Sequence, residues 1–275
     1  MNEPRILDCD QAAALIEPLT ALVAKAGAAI LAVDRQAMTI QGKTDGSPVT
    51  EADLAADRII GDGLAQLVPD VPALSEERVQ LAKPPYRGSF FLVDPLDGTK
   101  EYVAGRDEFT INIALVTNGV PLLGIVSAPA LKLVWRGLVG RGADRLRLDE
   151  GGAESVEPIH TRPIPARGKP WIAAVSRSHG DHRTEAFIGR RPGAVPLKVG
   201  SAVKFGRVAE GAADIYPRLG PTSEWDIAAG HAVVTAAGGK VTDADGAALR
   251  FGQGRDDFII PAFIAWGDPS LVSRF

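Results

Sequence analysis

With 275 residues and 45% apolar content, the chain can bury a sizeable core, as one large domain or two smaller ones. A formal net charge of -4 argues against broad nucleic-acid binding, but not against a small anionic substrate, because a metal and a few local bases can reverse the sign of a pocket. One cysteine and four histidines exclude an internal disulfide and a Cys/His zinc cluster, and fit a reducing cytoplasm. No segment approaches the ~18 consecutive apolar residues of an integral membrane span. The start Met1-Asn2-Glu3-Pro4-Arg5 lacks the basic-then-apolar pattern of a secretory signal.

In chain order, Asp8-Cys9-Asp10-Gln11-Ala12 begins like the aspartyl-phosphatase D-x-D-x-[T/V] motif. Ala12 stands where Thr or Val belongs and no apolar strand precedes it, so covalent phosphoryl chemistry is poorly supported. Residues 11–35 are alanine-rich with apolar residues at helical spacing, which predicts a helix. Lys43-Thr44-Asp45-Gly46-Ser47-Pro48 reads as a turn. Thr50 and Asp53 then open a second helix with a capping-box pattern, and Pro69 and Pro72 end it. Phe90-Phe91-Leu92-Val93 predicts a short strand stopping at Asp94-Pro95, and residues 109–115 alternate as a strand. Asn118-Gly119 is a hairpin signal between strands, with further strands at 122–126 and 131–139. Residues 149–170, rich in Gly and Pro, read as a connection between two halves. Beyond it, strands at 171–175, 195–199, 213–216 and 240–242 alternate with helices at 202–210 and 225–237, the last closed by Gly238-Gly239. The pattern divides the chain into an α+β half, 1–155, and an α/β half, 156–275.

Carboxylates carry the chemistry. Hard cations take oxygen ligands, and two ions roughly 4 Å apart can hold the attacking and leaving oxygens of a phosphate ester in line. In Asp94-Pro95-Leu96-Asp97-Gly98-Thr99, a fixed backbone at Pro95 and a tight turn at Gly98 could aim both carboxylates and the Leu96 carbonyl at one point, with the Thr99 hydroxyl beside them. The same residues also suit an ordinary exposed turn. Glu76 and Glu77 read equally as ligands or as a solvated acidic loop. Asp53 and Asp226 each occupy a helix N3 position, where a capping role accounts for them. Spacing alone does not make these groups converge.

Taken together, Val93-Asp94-Pro95-Leu96-Asp97-Gly98-Thr99, Leu74-Ser75-Glu76-Glu77 and Trp225-Asp226-Ile227-Ala228-Ala229-Gly230 resemble the three ordered signatures of the inositol monophosphatase superfamily, a likeness running from about residue 11 to 250. The resemblance implies a layered αβαβα sandwich of the α+β class, often dimeric, and a lithium-sensitive, magnesium-dependent phosphatase using two or three Mg²⁺ ions. It implies Glu76, Asp94, the Leu96 carbonyl, Asp97 and Asp226 as ligands, with Thr99, aided by Asp53 and Glu76, orienting the attacking water. Attack would be in line, without a phosphoenzyme.

Within the superfamily, Asp97-Gly98-Thr99-Lys100-Glu101-Tyr102, Ser176-Arg177-Ser178-His179, Gly200-Ser201-Ala202-Val203-Lys204-Phe205 and Tyr216-Pro217-Arg218 look most like the 3'(2'),5'-bisphosphate nucleotidase branch. That likeness implies hydrolysis of adenosine 3',5'-bisphosphate, a by-product of sulfate assimilation, to AMP and phosphate. The substrate-binding positions it implies are Leu96, Asp97, Gly98, Thr99, Ser176, His179, Ser201, Lys204, Arg218 and Asp226. Inositol monophosphatases carry a glutamate where Arg218 stands. An arginine there favours a second phosphate through charge and its two-pronged donor fork, and Lys204 and Arg177 could extend the basic rim. Each base also has a plainer reading, Arg218 as a surface residue after a strand and Lys204 on a solvated helix face. An inositol or sugar phosphatase and a non-catalytic nucleotide or metal binder stay open as alternatives. Peripheral attachment to the inner membrane, as in some relatives, has no visible anchor in the sequence.

Overall fold

The first helix opens on a side-chain cap. Asp8 accepts a hydrogen bond from the Gln11 amide at 2.8 Å and opens α1 (Cys9–Ala13), while Asp10 pairs with Arg141 on the surface. The helix expected over 11–35 is therefore a short α1 followed by α2 (Ile16–Ala32). Cys9–Ala32 is long and apolar enough to cross a membrane by length and composition, but here Leu19, Leu22, Val23, Ala26 and Ile30 are buried in the core. The computed structural model describes residues 4–38, 40–42, 48–82, 84–149, 152–177, 180–191, 193–253 and 258–274. The turn expected at 43–48 falls, apart from Pro48, outside the described residues. Strands β1 (Ile40–Gly42) and β2 (Pro48–Thr50) flank it and pair antiparallel. Helix α3 (Glu51–Leu67) starts with the expected Thr50/Asp53 capping box.

A seven-stranded sheet follows in chain order: β3 (Ala73–Ser75), β4 (Ser89–Asp97), β5 (Thr110–Thr117), β6 (Val120–Ala128), β7 (Leu133–Leu138), β8 (Gly142–Asp149) and β9 (Gly152–Ile159). Only the β3–β4 pair is parallel. Asn118 and Gly119 both take positive φ, 52° and 76°, as a two-residue turn matched to strand twist requires. Two expectations need correction. Strand β4 does not stop at Asp94-Pro95 but continues to Asp97, because a bulge absorbs the proline. The first half of 149–170 is not a connection: β9 pairs with β8 at the sheet edge, where Pro158 costs no ladder bond on the open side. The boundary expected between residues 155 and 156 falls inside β9.

Short helix α4 (Thr99–Val103) leaves the end of β4. A second sheet then forms from β10 (Ile172–Ser176), β11 (Val195–Val199), β12 (Ile215–Arg218), β14 (Lys240–Thr242) and β16 (Phe263–Trp266), in the order β11-β10-β12-β16-β14. A two-stranded ladder joins β13 (Thr222–Ser223) to β15 (Ile259–Ile260). The remaining helices are α5 (His182–Gly189), α6 (Val203–Ala209) and α7 (Glu224–Ala236). Alternation along the strands assigns the layers. Phe91, Val93, Ile111 and Ile113 share a core with α2 and α3, while Phe90, Leu92, Ala114 and Val116 share one with α6 and α7. In the second sheet Ala174, Tyr216 and Ala265 join that middle core, and Ala173, Ile215 and Trp266 pack with Phe187 and Ile188 of α5. The result is the layered αβαβα sandwich of an α+β fold. Being covered on both faces, β5 is buried throughout except at Thr117, which hides the polar alternation its sequence suggested.

Helix α7 is buried nearly all round, as a helix between two sheets must be. Its seat is cut by glycine: a Cβ on Gly124 would lie 2.1 Å from the Ala229 carbonyl oxygen. An alanine there would push α7 off the sheet, and with it Asp226 at its first turn.

Candidate active site

Asp94 and Asp97 are three residues apart, which in a regular strand would send them to opposite faces. The bulge removes that difference. Asp94 pairs with Asn112 and Asp97 with Thr110, two residues apart on β5, so both carboxylates face the α7 side. Asp94 is buried and accepts from the Leu96 amide at 3.0 Å, and Thr110 donates to Asp97 at 3.4 Å. Pairing of Ser75 with Val93 brings the next residue, Glu76, alongside Asp94. Asp226, at N3 of α7, accepts from the Thr222 hydroxyl and, at 3.3 Å, from the Ser223 amide. These four carboxylates line one cavity of about 210 Å³ with Leu96, Gly98 and Thr99.

Capping and site roles coexist in Asp53. Its Oδ2 accepts from the Thr50 amide at 2.7 Å and hydroxyl at 2.5 Å, while its Oδ1 lies 3.1 Å from the Thr99 hydroxyl. That hydroxyl is also 3.2 Å from the Leu96 carbonyl oxygen. Asp53 is buried behind Thr99 rather than on the cavity wall. Gly98, at φ 92°, makes the turn between β4 and α4, and a Cβ on it would meet the Ser201 hydroxyl at 2.0 Å.

The opposite wall is basic and aromatic. Ser176, Ser201, Lys204, Tyr216, Arg218 and Trp225 line it. Lys204 is 2% exposed, which removes the solvated-face reading; its ammonium donates to the Ser201 carbonyl at 2.5 Å and lies 5.2 Å from the Tyr216 ring centre. Arg218 faces the cavity and donates to the Pro221 carbonyl at 3.1 Å. Arg177 does not line this cavity but borders an adjoining one with Ser176, Tyr216 and Arg218, where it forms a two-pronged pair with Glu108 at 2.8 Å, and Glu108 also accepts from the Gly200 amide. His179 lies outside the described residues. Glu101 and Tyr216 also line the cavity, and the residue pattern alone gives neither a role. Both stand inside the segments Asp97–Tyr102 and Tyr216–Arg218 that carry the family likeness, the one signal for them in the sequence.

Electrostatics bind the cluster together. Burial, then repulsion from Glu76, Asp97 and Asp226, pushes Asp94 well above the usual carboxylate range. Burial and Asp226 raise Asp97 to about 6, against the pull of Lys204 and Arg218. Burial lowers Lys204 to about 8, partly offset by Asp97. Mutually repelling, all-oxygen donors suit a hard divalent cation, which would relieve the repulsion. Among the described residues, no three His, Cys, Asp or Glu side chains already stand at the spacing of a bound ion. The donors surround one cavity rather than clamp one point.

Residues 11–264 match the model of the inositol monophosphatase family. A 3'(2'),5'-bisphosphate nucleotidase CysQ of Escherichia coli K12 is 39% identical over 257 residues, covering 90% of this chain and 98% of the relative. Among solved structures, CysQ of Bacteroides thetaiotaomicron, described as a bacterial member of the inositol monophosphatase family, aligns with a TM-score of 0.71 at 35% identity, over 91% of this chain and 96% of the other. An IMPase of Thermotoga maritima aligns with a TM-score of 0.72 at 27% identity, over 94% and 95%.

Proposed function

This chain belongs to the inositol monophosphatase family, and we propose that it is a magnesium-dependent 3'(2'),5'-bisphosphate nucleotidase that converts adenosine 3',5'-bisphosphate to AMP and phosphate. One observation carries the reading: Glu76, Asp94, Asp97 and Asp226, from three distant segments, share a single cavity with Arg218 and Lys204. The acids suit cations and the bases suit a substrate with more than one phosphate. The names of the CysQ relatives support the same substrate class.

Glu76, Asp94, the Leu96 carbonyl, Asp97 and Asp226 are the groups that would hold Mg²⁺. When bound, the ions supply positive charge for the phosphoryl oxygens and acidify water. The remaining chemistry belongs to the chain. The Thr99 proton points to Asp53 or the Leu96 carbonyl, which leaves an Oγ1 lone pair to accept a hydrogen bond from a water in the cavity. Asp53 is held by the Thr50 cap and can take up Thr99's proton as Thr99 takes one from the attacking water, so the hydroxyl relays a proton from water to Asp53. The new P–O bond forms as the P–O bond to the ribose breaks, and the ribose oxygen leaves with that bond's electron pair and is protonated by solvent, with no covalent intermediate on the protein. Gly98, with no Cβ, lets the Ser201 side chain close against the β4–α4 turn and so shapes the cavity wall beside Asp97 and Thr99. Arg218 binds the phosphate that is not cleaved, and Lys204 fixes the Ser201 loop while adding charge to the wall. The protein is expected in the cytoplasm.

Incubation with adenosine 3',5'-bisphosphate and Mg²⁺, with products separated chromatographically, should yield AMP and one phosphate, and a chelator should stop the reaction. No magnesium-dependent phosphate release would overturn the proposal.

A further inference from the structure

We propose that Asp57, Ser75 and Arg78 form a bracket that positions Glu76, and that Gly61 exists to seat it. The inference rests on the reading of Glu76 as a cation ligand. Asp57 is buried on α3, one turn beyond Asp53, and lines no part of the cavity. Its Oδ1 accepts from the Ser75 hydroxyl at 2.6 Å and from the Arg78 guanidinium at 3.1 and 3.3 Å. Ser75 immediately precedes Glu76 and Arg78 follows it by two, so one carboxylate grips the chain on both sides of the ligand. The turn that carries Glu76 is irregular at the second anchor, with Arg78 at φ -128° and ψ 19°, so it lacks the uniform hydrogen bonding of a regular helix.

Gly61 supplies an independent observation. Asp53, Asp57 and Gly61 recur every fourth residue and share a face of α3. A Cβ at Gly61 would lie 2.6 Å from an Arg78 guanidinium nitrogen. Glycine inside a helix is less favourable than alanine, so its presence is explained by the arginine lying across it. One rigid helix thus references both sides of the reaction: Asp53 holds Thr99, and Asp57 holds the Glu76 segment. These are positioning residues, since none touches the reacting atoms.

The decisive variant is Gly61→Ala, which improves helix propensity while displacing only the flexible end of Arg78. Magnesium binding measured calorimetrically without substrate should weaken about tenfold, while the melting temperature in chelator stays equal or rises. Arg78→Met should weaken binding similarly, Arg78→Lys should recover part of it, and the Gly61→Ala/Arg78→Met double variant should be no worse than either single change. KM at saturating Mg²⁺ should stay within about twofold. If the parent protein binds Mg²⁺ and both single variants bind it equally well, the bracket is wrong. If binding losses simply follow losses in melting temperature, it is also wrong. A parent protein that binds no Mg²⁺ would overturn the metal reading and this inference with it.

Discussion

Replacing Asp97 by Asn should make the metal-free protein more stable and nearly inactive at once. Asp97 titrates at about 6 in the fold against 3.8 ordinarily, because it is buried beside Asp226. Since the folded value is the higher one, protonation favours the fold below pH 3.8, and that contribution is lost as pH rises through about 6. At pH 7.5 the ionised carboxylate therefore costs the fold up to about 3 kcal/mol. Because the Asp97 side chain lines the cavity, solvent there screens it, so about 1–2 kcal/mol is the working figure. For a chain of this size that raises the melting temperature in chelator by roughly 2–8 °C. The gain should shrink as pH falls from 6 toward 3.8, where the parent carboxyl is itself protonated. Magnesium should raise the parent's melting temperature but move the variant much less. Turnover should fall by about 100-fold or more, some 2.7 kcal/mol of barrier. Thermal denaturation at pH 7.5 and 5, with chelator or Mg²⁺, and phosphate-release assays measure all of this. A variant that melts below the parent in chelator at pH 7.5, or turns over at the parent's rate, would refute the reasoning.

Other residues give separable outcomes. Thr99→Ala should lower kcat by about 10²–10⁴ with little change in KM, whereas Thr99→Ser keeps the hydroxyl and most of the rate; equal losses in both would remove the relay through Asp53. Gly98→Ala combines a φ of 92° with a 2.0 Å clash against Ser201; it should fold, with kcat/KM down by at least about tenfold, and an unaffected kcat/KM would argue against the Gly98–Ser201 contact shaping the site. Arg218→Met should raise KM for adenosine 3',5'-bisphosphate by about tenfold or more and leave inositol 1-phosphate hydrolysis unchanged or improved; equal effects on both substrates would deny Arg218 its role in the second phosphate.

The fold was legible where the local signal and the tertiary environment agree. The Thr50/Asp53 box, the Asn118-Gly119 turn and the 195–199 strand are local features and stand where the residues placed them. The failures have physical causes. Pro95 reads as a strand terminator, yet a bulge accommodates it, and that bulge is what puts Asp94 and Asp97 on one face. Gly152 and Pro158 read as linker residues, but an edge strand tolerates both. The site was less visible because it depends on pairing across distance. Nothing in Leu74-Ser75-Glu76 announces parallel pairing with β4, and nothing near Arg177 announces Glu108, 69 residues away. Asp53 and Asp226 were ambiguous between cap and site because each is a cap: Asp53 also holds Thr99, and Asp226 also lines the cavity.

The most direct test of the account compares kcat/KM for adenosine 3',5'-bisphosphate and inositol 1-phosphate in one preparation, with Mg²⁺ and with chelator. Magnesium-dependent release that favours the nucleotide is the expected result. Equal or higher efficiency on the inositol ester would contradict the assigned substrate, and release that persists in chelator would contradict the metal site itself.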